Sequence, residues 1–151
     1  MLPTHIEKTQ EIQTIIKDKI ANLETVLTAL VESGRLPEVT MPLKHTFTDG
    51  IYVRECFIPA GSVIVGKIHK HSHLNFITFG TVTVLTKEGL ETLVGPCSMI
   101  SPSGVKRALY AHTDVIWTTV HSNPTNETDL EKLEENIIST TYETPIIGEV
   151  K

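Results

Sequence analysis

The chain has 151 residues, of which 40% are apolar and 21% charged, with two cysteines and a formal net charge of −5 at pH 7. This length fits one compact domain with an appendage, and the acidic balance disfavours nucleic-acid binding by bulk electrostatics. Cys56 and Cys97 are too few for a secreted disulfide framework, and neither an apolar signal-peptide core nor a run near the ~20 residues of a bilayer span occurs. A soluble cytoplasmic protein with reduced thiols, and with neither nucleic acid nor membrane as partner, is expected.

Thr4 followed three positions later by Glu7 forms a capping box and predicts a helix start. Apolar residues then fall at Ile16, Ile20, Leu23, Leu27 and Leu30, spaced alternately four and three apart, until Gly34 supplies a left-handed cap. The stripe suits a coiled-coil seam, so residues 4–34 are expected to act as an oligomerisation arm that makes a homodimer or homotrimer. The alternative is an amphipathic helix packed on its own domain, for which Ile12, Ile15, Val26 and Val31 widen the apolar face.

Residues 43–122 change to short β-rich runs: Ile51 to Ile58, Val63 to Ile68, Leu74 to Phe79, Thr81 to Leu85, Val105 to Tyr110 and Val115 to Val120. Turn residues such as Pro59-Ala60-Gly61, Gly80 and Pro102-Ser103-Gly104 separate them, which indicates a β-sandwich or barrel. In residues 127–151, Thr128-x-x-Glu131 predicts a second capping box. Leu130, Leu133 and Ile137 there give one apolar side to a short acidic helix, expected to pack on the barrel before a tail without clear signal.

His69, His71 and His73 occupy alternate positions and would share one face of an extended strand. Imidazoles converging inside a barrel can chelate a divalent metal such as Zn, Mn, Fe or Ni, with His112 as the natural further ligand and His121 behind it. On an outward face, the same run is simply a solvated strand. Neither cysteine lies near a histidine in sequence and no Gly-x-Ser-x-Gly occurs, so no nucleophile and base pair is visible. Glu55 and Asp114 lack a spacing that argues for general-base work.

The stretch Gly61, Lys67, His69, His73, Gly80 reproduces the spacing of the first cupin motif, and Pro102-Ser103-Gly104 resembles the Pro-x-Gly of the second. This resemblance covers roughly the middle half of the chain. It implies a mainly β fold, a cupin-type antiparallel β-barrel (double-stranded β-helix), here with an N-terminal helical arm and a short C-terminal helix. Where a metal-binding cupin has its first-motif ligands, this sequence has Lys67, His69 and His73, and Arg107 stands at the second-motif histidine. Either His71 and His112 are recruited by a shifted register, or the pocket holds no metal. In the second case Lys67, Arg107 and two histidines would attract a small anionic, nucleotide-like molecule, with Tyr110, Trp117 and Phe76 available for stacking. A structural accessory with an inert barrel is the third reading, and whether the protein is an enzyme stays open. The stretches Gly66 to Asn75 and Gly104 to His112 also resemble small cupin-like proteins of tailed bacteriophages, which implies action in the cytoplasm of an infected bacterium.

Overall fold

The structure, a computed structural model, describes residues 2 and 4–139, so the expected tail from residue 140 onward lies outside the described residues. Helix α1 (His5–Glu32) begins at Thr4 with the expected capping box: the Glu7 N–H donates to Thr4 Oγ1 and the Thr4 N–H donates back to Glu7 Oε2. It ends at Ser33, and Gly34 takes φ +74°, which lets the Arg35 N–H reach the Leu30 carbonyl at 2.9 Å. Ile16, Ile20, Leu23 and Leu27 pack against Val65, Leu85 and Ala108 of the same chain. The stripe that suits a seam is therefore occupied within the protomer, while Ile12, Ile15 and Val26 remain exposed on the helix.

Nine strands follow among the described residues: β1 (Leu43–Thr48), β2 (Ile51–Ile58), β3 (Val63–Val65), β4 (His73–Phe79), β5 (Thr81–Thr86), β6 (Gly89–Val94), β7 (Cys97–Ser101), β8 (Ala108–Ala111) and β9 (Val115–Ser122). They form a five-stranded sheet in the order β1-β2-β9-β4-β7 and a four-stranded sheet in the order β3-β8-β5-β6, with antiparallel neighbours throughout. Ile58, Ile77, Val115 and Trp117 from the first sheet meet Ile64, Val82, Val84 and Ala111 from the second in one core, so the expected barrel is a two-sheet sandwich. Helix α1 covers the four-stranded sheet at β3 and β5. No helix among the described residues is long and apolar enough to cross a membrane.

Gly80, the closing glycine of the first motif, lies between β4 and β5 at φ +98°. A Cβ there would sit 2.1 Å from the Asp114 carbonyl oxygen, so both its backbone conformation and its neighbour require glycine.

Two predicted strands are shorter than their β-rich runs. β3 stops at Val65 and β8 starts only at Ala108, leaving Gly66 bonded through its N–H to the Arg107 carbonyl at 2.9 Å. Residues 66–72 then leave the sheet because the C-terminal segment takes their backbone groups: the Lys70 N–H donates to the Ile137 carbonyl (2.7 Å), and the Ser139 N–H donates to the Ile68 carbonyl (2.8 Å). Helix α2 (Leu130–Ile137) carries this segment. Its cap is Asp129 rather than Thr128, since the Asp129 carboxylate accepts from the N–H groups of Glu131 and Lys132, a stronger acceptor than a hydroxyl at a helix N-terminus.

Candidate functional site

Strand alternation sends every second side chain of the five-stranded sheet inward. His45 on β1, Tyr52 and Arg54 on β2, His73 and Asn75 on β4, and Trp117, Thr119 and His121 on β9 thus line a pocket of about 320 Å³ between the sheets. The loop 66–72 adds Lys67 and His69, and the segment before β8 adds Arg107. Leu133, Glu134 and Ile137 of α2 lie over the pocket, and Glu134 makes an ion pair with Lys67.

Three imidazoles gather in this pocket. The ring centroids of His69 and His73 are 4.3 Å apart, those of His73 and His121 4.8 Å, and those of His69 and His121 5.4 Å. Tyr52 stacks on His121 and on His45, and its hydroxyl lies 2.6 Å from His45 Nδ1, so the ring series continues to β1. Deeper in, Trp117 Nε1 donates to Asn75 Oδ1 at 2.9 Å, and Asn75 Nδ2 donates to Ser101 Oγ at 2.8 Å. This chain satisfies the polar atoms of a buried asparagine and fixes the pocket floor.

Charge and burial set the protonation of the site. Burial, followed by the neighbouring His73, His121, Arg54 and Arg107, pushes His69 down to about 2. His121 falls to about 3 through burial, His73 and Arg54. His73 is also lowered, chiefly by burial, although a hydrogen bond to the His71 carbonyl opposes this. All three rings are therefore neutral at physiological pH, while Arg107 keeps its guanidinium charge in spite of the burial that lowers it. Cys56 also lines the pocket, but burial raises its thiol, which makes it a poor nucleophile at neutral pH.

The four motif positions, Lys67, His69, His73 and Arg107, all line the pocket, as their spacing implied. Other expected residues lie elsewhere. His71 is exposed on the loop, because residues 69 to 73 do not form one strand and only His73 belongs to β4. His112 is exposed beyond the end of β8, with its Nε2 2.7 Å from Thr83 Oγ1. Tyr110 points outward with it and meets the His112 ring edge-on, and Phe76 points outward from β4, so neither offers a stacking surface to the pocket. His121 takes the position expected of His112, because the inward-facing register of β9 falls on Trp117, Thr119 and His121. Arg54, Tyr52 and His45 had no motif to mark them; the only signal was alternation along β1 and β2.

A divalent metal ion needs several nitrogen, oxygen or sulfur donors that converge on one point. Three neutral imidazoles are the right chemistry. Their arrangement is not: the planes of His69 and His121 are only 10° apart, His121 Nε2 lies 3.0 Å from Thr119 Oγ1, and no group of three His, Cys, Asp or Glu among the described residues could hold a metal ion as placed.

Among solved structures, the chain is similar to ectoine synthase from P. lautus, with 14% identity and a TM-score of 0.54 over 71% of this chain and 85% of that one. It is similar to KdgF from Halomonas sp., with 14% identity and a TM-score of 0.50 over 58% and 84%, respectively. A cupin 2 domain-containing protein from Halorhodospira halophila matches with 11% identity and a TM-score of 0.50 over 56% and 65%. No protein-family model matches the sequence, and no curated protein matches it. The class defined by fold and pocket is the cupin fold, a two-sheet β-sandwich carrying an N-terminal helix and a short C-terminal one.

Proposed function

We propose that the protein is a binder of a small anionic molecule, a carboxylate or phosphate ester, held in the pocket between the two sheets without a metal ion. The observation that carries this reading is the pairing of two guanidinium groups, Arg54 and Arg107, with three neutral histidines in one partly apolar cavity. Arginine offers a forked, bidentate contact to carboxylate and phosphate, and the neutral imidazoles add hydrogen bonds without competing charge. Apolar side chains such as Ile64, Leu109 and Leu133 line the rest, leaving room for a ligand with an apolar body. Glu134 on α2 already sits against Lys67, as the carboxylate of a ligand would. Capture fits better than covalent catalysis, because the pocket thiol of Cys56 is raised.

Isothermal titration of the purified protein with inorganic phosphate, citrate and adenosine monophosphate tests this. At least one probe is expected to bind, and Arg107→Gln to weaken it by about 10- to 100-fold, the usual weight of a charged hydrogen bond, with little change in melting temperature. No binding by any of the three at millimolar concentration, or equal affinity in the variant, overturns the reading.

One observation favours a second reading, a divalent metal such as Zn, Mn, Fe or Ni. The His69, His73 and His121 rings are neutral and mutually close, and the terminal torsion of a histidine side chain is soft enough to reorient its nitrogens. Elemental analysis of untagged protein prepared without chelators decides it. Near-stoichiometric metal that disappears in His69→Ala/His121→Ala replaces the metal-free reading; metal absent after attempted reconstitution removes the second one.

A further inference from the structure

Along β2, β9, β4 and β7, the side chains that point away from the second sheet form the outer face of the five-stranded sheet, and most of them are apolar. The strand register aligns Val53 with Val120, Val120 with Leu74 and Leu74 with Ile100, a continuous apolar row across four strands. A second row runs from Phe57 through Ile116 to Phe79, and between the two rows lie Glu55, Thr118, Phe76 and Ser98. Ile100 is 68% exposed, Phe79 57% and Leu74 44%. The charged side chains among the described residues of this face are Lys44 and Glu55, which pair with each other at 3.5 Å near the β1 edge.

Alternating strands in a sandwich normally read apolar inward and polar outward. Here the inward positions of the sheet carry His45, Arg54, His73, Asn75, Thr119 and His121, and the outward positions of β2, β9 and β4 carry Ile51, Val53, Phe57, Ile116, Val120, Leu74, Phe76 and Phe79 beside Glu55, Thr118 and Ser122. The sheet therefore has a polar inner end, explained by the pocket, and an apolar outer face that the pocket does not explain. Helix α1 lies on the other sheet and α2 over the pocket, so no described element covers this face.

We infer that this face is where a second copy of the chain docks, sheet against sheet about a two-fold axis. Five strands spaced about 4.8 Å apart and some seven residues long, at about 3.3 Å per residue, present roughly 550 Å². Two such faces mated bury about 1,100 Å², above the roughly 1,000 Å² that separates specific interfaces from incidental contacts. A face whose charges are already paired can meet its own copy without stranding a charge, as an isologous interface requires. This assigns self-association to the sheet instead of to helix α1, whose apolar stripe is occupied within the protomer.

Light scattering coupled to size-exclusion chromatography at tens of micromolar tests the assignment on the full chain. The expected mass is twice the 16.7 kDa of one chain. Ile100→Glu/Leu74→Lys should elute as a monomer with an unchanged far-ultraviolet circular dichroism spectrum, and Ile12→Glu/Val26→Glu on the helix should remain a dimer. A monomeric wild-type protein overturns the inference. So does a dimer that survives the sheet variant or dissociates only in the helix variant. Were Ile100→Glu/Leu74→Lys to misfold, single Ile100→Ser, at the most exposed of these positions, gives the same reading through a dissociation constant raised at least tenfold or left unchanged.

Discussion

Lowering the pH from 7 to 5 is expected to remove about 4 kcal/mol of stability, because the pocket histidines are buried neutral. In the unfolded chain a histidine titrates near 6.5, whereas in the folded protein His69 stays neutral down to about 2 and His121 down to about 3. Below pH 6.5 the unfolded state therefore binds more protons than the native state. Stability falls as pH drops, with up to about 1.4 kcal/mol lost per pH unit for each such group. Over the stretch from 6.5 to 5 this gives about 2 kcal/mol for each of the two, and His73, lowered for the same reason, adds to the loss. Above pH 6.5 these groups leave the stability flat. Circular dichroism melts should show a transition about 10 °C lower at pH 5 than at pH 7, and His69→Gln/His121→Gln should flatten most of that slope. A melting temperature equal at both values would mean that the rings protonate freely in the folded state.

Lys106→Met is expected to destabilise the protein by about 3 to 5 kcal/mol at pH 7, the range for leaving one member of a buried ion pair behind. Glu24 is 1% exposed on the inner face of α1, and its partner across the interface is Lys106, itself buried in the segment before β8. Burial raises the Glu24 carboxyl above its ordinary value, an effect that Lys106 opposes. In the variant that opposition is gone, so the carboxyl protonates more readily and the deficit shrinks as the solution is acidified. The double variant Glu24→Gln/Lys106→Met should recover most of the loss, since a neutral amide costs less to bury than a lone carboxylate. Thermal melts of the three proteins at pH 7 measure it. Lys106→Met with an unchanged transition would show that Glu24 is solvated and that the pair contributes nothing to the α1 interface.

These two results bear on different parts of one design. The Glu24–Lys106 pair joins the helical arm to the four-stranded sheet, whereas the histidines lie against the five-stranded sheet under α2. Neutral rings next to Arg54 and Arg107 cost the fold at low pH, and the same arrangement supplies the electropositive, hydrogen-bonding interior that an anion would use. That a stability cost coincides with the pocket follows from placing ionisable groups where a sandwich of this size would otherwise put aliphatic ones.

Several features could be read from residue order alone, because they depend on neighbours a few positions away. The capping box at Thr4 and Glu7, the end of α1 near Gly34, the β-rich character of residues 43–122 and the strand from Ile51 to Ile58 rest on local hydrogen bonding, backbone freedom and period-two alternation. Lys67, His69 and His73, within the motif spacing from Gly61 to Gly80, line one pocket. The identity of the third imidazole was not legible, because His112 and His121 both lie near a strand of the same region and only the register of β9 against β2 and β4 turns His121 inward. His71 shows the same dependence in reverse: alternate spacing places it with its neighbours only on a strand, and α2 holds residues 66–72 as a loop instead.

The apolar stripe of α1 is one pattern with two possible partners, a second helix or its own sheet, and burial alone cannot choose between them in one dimension. Tertiary structure chose the sheet, where Val65, Leu85 and Ala108 present a matching apolar surface and Lys106 answers Glu24. Likewise the outward valines, leucines and phenylalanines of β2, β9 and β4 read simply as β-rich sequence until the pairing of four strands aligns them into one face. What the residue order by itself determined was therefore the set of elements, their class and the spacing of the motif, all consequences of short-range chemistry. Which histidines meet, which side of the helix is hidden and which face of the sheet stays open depend on contacts between residues far apart in the chain, and only the packed fold decides them.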